Sequence, residues 1–188
     1  MSATSNPFGL RVVASGSGGI VRPAAYAITS GYASNIFQNQ PVKIVPSGTG
    51  EGTIAAAAPG DRFIGTFCGV EWTDTDGRRR VSNKWSAGTV GTDIVCYVTL
   101  DSTLEYEIQS NAALNISDIG KQFAYTAASG NTVVGVSTQM LDVSSAAANA
   151  ALRLVNIING PDNAAGDTYV IARVTISQHQ NVADVAAY

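Results

Sequence analysis

Apolar and polar residues alternate along several stretches of this chain. Over residues 104–109, Leu104, Tyr106 and Ile108 take every second place with Glu105, Glu107 and Gln109 between them, the period of a strand with one wet face. Around residues 63–72 the pattern differs. Ile64, Cys68, Val70 and Trp72 stand against Phe63 and Phe67, so both faces are apolar, as in a strand covered on two sides or bordering a partner subunit.

From Gln40 onward, short strand-like runs recur with turn signals between them: PVKIV, GTIAAA, RFIGTFCGVEW, RRVSNKW, DIVCYVTL, LEYEIQS, KQFAYT, TVVGVST, ALRLVNII and TYVIARVTIS. This spacing predicts an all-β fold, a β-barrel or β-sandwich. TDTDG between Trp72 and Arg78 predicts a tight hairpin, because Asp and Gly tolerate the positive backbone angles such turns need. NGPDNAAGD predicts a second hairpin with a longer loop. The stretch SSAAANAAL, residues 144–152, has helical propensity but is short enough to be a small-residue loop instead.

Residues 1–40 carry apolar side chains among Gly, Ser, Ala and Asn without a sustained period. They predict an extended N-terminal arm that lies on something else, another subunit for example. The expected organisation is an arm over 1–40, a β-rich body over 41–180 and a C-terminal tail over 181–188. Phe8, Leu10, Val12, Ile20, Tyr32 and Phe37 in the arm, with Phe67 and Trp72 in the body, are the candidate interface residues. Trp72, Trp85 and Tyr97 are the first aromatic side chains to consider at an interface, although Trp85 and Tyr97 fit the core better.

Composition changes this picture in one respect. Of 188 residues, 45% are apolar and 13% charged, against about 25% charged in an average soluble domain. A surface so poor in charge repels neighbours weakly and suits a protein packed against other subunits. The formal net charge of -3 and a cationic cluster no longer than Arg78 to Arg80 argue against nucleic acid as a partner. No segment reads as a signal peptide or a membrane span, which predicts folding in a cytoplasm and, for Cys68 and Cys96, buried free thiols in place of a disulfide.

Catalytic signatures are missing from the sequence. A nucleophile–imidazole site needs a histidine, and the single one, His179 in TISQHQ, has no GxSxG elbow to serve, so a surface or interface role is expected for it. One His and two separated Cys supply no zinc ligand pair. Asp74 and Asp76 resemble part of a calcium loop, but Trp72 and Asn83 occupy its end positions. Glu105 and Glu107 share a strand face, as alternation alone would place them, and SGSGG lacks the Lys and Ser/Thr of a phosphate loop. The expectation is a non-enzymatic binding scaffold with no cofactor and no metal.

The succession FIGTFCGVEWTDTDGRRRVSNKWSAGT, DIVCYVTLDSTLEYEIQ and ALRLVNIINGPDNAAGDTYVIARVTISQHQ resembles small structural proteins of tailed bacteriophages, the capsid decoration or cement proteins. The resemblance covers most of residues 40 to 180. It is carried by FCGVEWTD leading into a turn, the WSAGT that follows, the Val-rich strand before DSTLEYE, and LRLV with PDNAAGD. It implies a virion protein, made in the host cytoplasm, that binds the outer surface of the expanded capsid between major capsid protein subunits. It also implies a homo-oligomer, a dimer or trimer. The alternatives are a host-attachment or glycan-binding module, for which Trp72 near Asp74 would offer a sugar platform, and a tail or neck component.

Overall fold

The computed structural model describes residues 4–45 and 52–183. Among them are twelve strands: β1 (Arg11–Ser15), β2 (Pro23–Tyr26), β3 (Pro41–Ile44), β4 (Ile54–Ala56), β5 (Gly65–Thr73), β6 (Arg79–Ser82), β7 (Thr92–Thr99), β8 (Leu104–Gln109), β9 (Gln122–Tyr125), β10 (Leu141–Ala147), β11 (Leu152–Ile157) and β12 (Ile171–Ile176). They form two antiparallel sheets that pack together in a sandwich-type all-β fold. Sheet one runs β1-β8-β12-β11-β9-β10; sheet two runs β2-β7-β5-β3-β4, with β6 also paired to β5.

The alternation in β8 is realised as predicted. Leu104, Tyr106 and Ile108 are buried, and Glu105 and Glu107 face outward beside Arg173 of β12. β12 repeats the pattern, burying Ala172, Val174 and Ile176. Both predicted hairpins form, β5 with β6 and β11 with β12. Asp74 organises the first: its Oδ1 accepts from the N–H groups of Asp76 and Arg78, and its Oδ2 accepts from Arg80 Nε at 2.7 Å. These contacts explain the Asp–x–Asp–Gly spacing through turn chemistry.

The apolar pattern of residues 63–72 separates two hydrophobic cores. Phe63 belongs to the core of sheet one, with Tyr106, Phe123, Tyr125, Leu152 and Val174 among its members. Ile64 belongs to the core of sheet two, with Ile36, Val42, Phe67, Trp85 and Val98. The register of β5 on β7 shifts between Phe67 and Gly69. This bulge lets Phe67 and Val70, which have opposite parity in the sequence, bury in the same core. Gly65 is required where the strands meet, since a Cβ there would stand 1.5 Å from the Thr99 carbonyl oxygen. Sheet one curls, so that Ser110, just after β8, bridges Leu141 at the start of β10.

The expectation of a separate arm over residues 1–40 is corrected for its described part. β1 is an edge strand on β8, and β2 pairs with β7. Leu10 and Ile36 are wholly buried. The Gln109 side chain accepts from Asn6 N–H and donates to the Thr4 carbonyl. The segment covers hydrophobic surface of its own body, which is why its apolar residues lack one period: they feed two different cores. Strands β3 to β12 fall within residues 41–176. Of the expected tail, residues 184–188 lie outside the described residues, and Val182 is held through its carbonyl by Arg62.

Two further segments differ from expectation. Residues 144–147 extend β10, where pairing with β9 outweighs a weak helical preference and Asp142 Oδ1 accepts from both Ser144 N–H and Ser144 Oγ. TVVGVST is mainly turn: Asn131 Oδ1 accepts from Val133 N–H and Val134 N–H, and Gly135 takes a positive φ of 81°.

Candidate interaction surface

The eight candidate interface residues do not converge. Leu10 and Phe67 are fully buried and Phe37 nearly so, and they fill the body of the chain, which corrects their assignment as contacts to a partner. Val12 packs against the first core and Tyr32 against the second, where Tyr32 Oη accepts from Ala56 N–H. Trp72 also leans on the second core, edge-on to Trp85 with ring centroids 5.8 Å apart. Phe8 is half-buried, with the Arg11 guanidinium 4.7 Å over its ring. Ile20 is 82% exposed.

Trp85 is core, as the sequence suggested, whereas Tyr97 is not. The reason is register: Val98 pairs with Phe67 on the core side of sheet two, and Tyr97 points to the opposite face. There it joins Pro23, Cys68 and Val81 around an open depression of about 410 Å³. Val81 is 79% exposed. Tyr97 Oη donates to Glu71 Oε1 at 2.8 Å, and Arg79 Nη2 lies 3.2 Å from the same oxygen. The hydrogen bond from Tyr97, and then the one from Arg79, hold the Glu71 carboxyl below its ordinary range. The result is an apolar sheet face with one neutralised polar edge, presented by β2, β7, β5 and β6.

Sequence reasoning missed this surface because RRRVSNK reads as a solvated strand. The exposure of Val81 follows that reading, but its proximity to Tyr97 and Pro23 depends on the pairing of four strands, β6, β5, β7 and β2. A second depression of about 420 Å³ lies between Phe8, Arg11 and Val134.

The polar groups with chemical potential have structural partners. His179 is 3% exposed, which corrects the surface assignment. Its Nε2 lies 2.9 Å from the Ile64 carbonyl and 3.1 Å from that of Leu100, so the hydrogen sits on Nε2, and Nδ1 accepts from Asn181 N–H. Glu107 bonds Arg11 at 2.5 Å, and Arg173 reaches both Glu105 and Glu107. No group of three or more His, Cys, Asp and Glu side chains among the described residues is arranged to hold a metal ion. Cys68 and Cys96 are free thiols, and Cys96 is buried inside the second core as expected, whereas Cys68 is only half-buried and lines the outer depression. No helix among the described residues is long and apolar enough to cross a membrane.

Comparison with known protein families, with curated proteins and with solved structures returns no match.

Proposed function

We propose that the protein is a non-enzymatic cement protein of a tailed-phage virion, bound to the outer surface of the expanded capsid between major capsid protein subunits. The observation that carries this reading is the apolar face of Tyr97, Val81, Pro23 and Cys68 on a sheet otherwise closed over its own core. Such a face loses water favourably against a flat protein surface, with aromatic side chains contributing most. Low charge supports the same reading, since subunits of a crowded lattice meet with little repulsion. The sequence resemblance supplies the partner.

Clamping needs no reaction. Each specific contact typically buries about 1,600 Å² in total, and contacts repeated over a lattice give avidity without one strong site. A homo-oligomer at a symmetry axis multiplies them further.

The test is co-sedimentation of purified protein with expanded, undecorated capsids, counting copies per major capsid subunit. The expected result is a saturating fixed ratio with greater resistance of the shell to heat or low salt. Absence of co-sedimentation overturns the proposal.

A further inference from the structure

The second sheet closes on itself and leaves one strand outside. Ala27, just after β2, bridges Thr53, just before β4, and Ile54 N–H donates to the Ala27 carbonyl at 2.9 Å, so the two ends of the order β2-β7-β5-β3-β4 meet. β6 pairs with β5 alone. In that hairpin Asp74 N–H donates to the Arg78 carbonyl at 2.9 Å, and further along Trp72 faces Arg80 and Val70 faces Ser82. Antiparallel ladders bond at every second pair, so Arg80 and Ser82 turn their backbone groups toward β5, while Arg79 and Val81 turn theirs away. Among the described residues no backbone hydrogen bond takes up those outward groups.

An open edge is a template for another strand, and proteins commonly blunt one with charge. Here the blunting charges are engaged within the chain. Arg79 lies 3.2 Å from Glu71 and donates to the Asp93 carbonyl, and Arg80 Nε donates to Asp74 at 2.7 Å. Val81, next in the strand, is 79% exposed. An acidic strand from another protein would find both cations already paired. A second copy of this chain suits the edge better, because a two-fold axis at Val81 makes the strand complementary to itself. Arg80 then faces Ser82 of the second copy, and Arg79 faces its Asn83. An axis one residue earlier would set Arg80 against Arg80, and one residue later Arg80 against Lys84, like charges directly opposite in each case.

We infer that β6 pairs antiparallel with β6 of a second copy about a two-fold axis at Val81, making a dimer with one sheet running through both chains. The outward N–H and carbonyl of each Val81 bond to those of the other, and the two side chains meet. Tyr97 and Pro23 of each copy stand on the same face. Edge pairing lies in the plane of the sheet, so the dimer joins two apolar faces into one without covering either. This gives the homo-oligomer of the reading above a specific interface. The dimer forms without capsids, so its failure leaves capsid binding standing.

The experiment is sedimentation equilibrium of the purified full-length chain over a range of concentrations. Wild type is expected to pass reversibly from one chain to two. Val81→Pro removes an outward N–H and no bond to β5, a place where edge strands accept proline. It should keep the wild-type circular dichroism and melting and stay monomeric. Val81→Lys keeps every backbone donor but sets two cations face to face, and it should weaken the dimer about tenfold or more. The axis is read by disulfide trapping in a Cys68→Ser background, which removes the thiol lining the same depression. Val81→Cys should cross-link two copies on mild oxidation, directly opposed Cα atoms lying about 5.5 Å apart. Arg80→Cys, displaced along the strand from its own counterpart, should not. A wild type that stays monomeric up to about 1 mM, an undiminished dimer in Val81→Pro or Val81→Lys, or cross-linking by Arg80→Cys as readily as by Val81→Cys each overturns the proposal.

Discussion

Phe63 and Ile64 are consecutive in the chain and bury in different hydrophobic cores, one under each sheet. Because successive side chains of an extended backbone point to opposite sides, this short run is a wall shared by both cores. The hydrogen bonds beside it are polar and buried: Thr66 N–H donates to Thr99 Oγ1, which lies 3.2 Å from Tyr106 Oη, and His179 spans the carbonyls of Ile64 and Leu100. Side chains and an isolated backbone bridge between Phe63 and His179 join the two sheets, without a continuous ladder.

Truncating either face of the wall should be costly. Phe63→Ala is expected to lose about 3–5 kcal/mol and Ile64→Ala about 2–5 kcal/mol, read from denaturant unfolding. Ile20→Ala, at an 82% exposed position, should change stability by less than about 0.5 kcal/mol. Comparable losses at all three would contradict the two-core arrangement.

His179 acts as a bracket. In His179→Phe the ring volume is kept but two carbonyls and the Asn181 N–H lose their partner, for a cost of about 1–3 kcal/mol. His179→Gln, which retains an N–H donor and an acceptor, should recover part of that loss. Thermal melts of the three proteins decide it, and equal stability of wild type and His179→Phe would remove the bracket.

The thiols should react unequally. Desolvation pushes the Cys96 thiol up to about 12 and raises that of Cys68 as well, so both are protonated near neutrality and the thiolate is scarce. Cys96, fully buried, should label with iodoacetamide only on unfolding. Half-buried Cys68 should label slowly in the folded protein. Mass spectrometry of labelled peptides reads the order, and rapid native labelling of Cys96 would place it outside the core.

Acid should weaken the fold. A hydrogen bond from Lys43 lowers Asp61, one from Lys121 lowers Asp118, and one from Ser144 lowers Asp142, each from an ordinary value of 3.8. A carboxyl whose folded value lies below its unfolded one stabilises fully above the unfolded value and loses that contribution as pH falls through the folded value. Melting temperature should therefore be flat from neutrality to about pH 5 and fall below about pH 4. Asp61→Asn should flatten part of that fall, and an unchanged profile would exclude Asp61 as a contributor.

The outer face is tested by Val81→Lys, which places a charge at a 79% exposed position. Its circular dichroism and melting should match the wild type, while copies bound per capsid subunit should fall at least tenfold. Unchanged capsid binding would move the contact to another face.

Residue pattern alone carried much of this fold. The alternation of Leu104, Tyr106 and Ile108 marked one half-buried strand, and Phe63 against Ile64 marked another with two dry faces, because side-chain direction in a strand is a local property. Asp74 and Gly77 marked the hairpin for the same reason, turn chemistry being set within five residues. Tertiary structure alone decided which dry face met which core, that residues 11–15 and 23–26 pair with β8 and β7, that a bulge after Phe67 brings Val70 into the core of Phe67, and that Tyr97 lies beside Val81. It alone also decided that His179 is buried. Those features join residues far apart in the chain, and a register shift of one residue reverses which side chain is covered, so no local pattern encodes them.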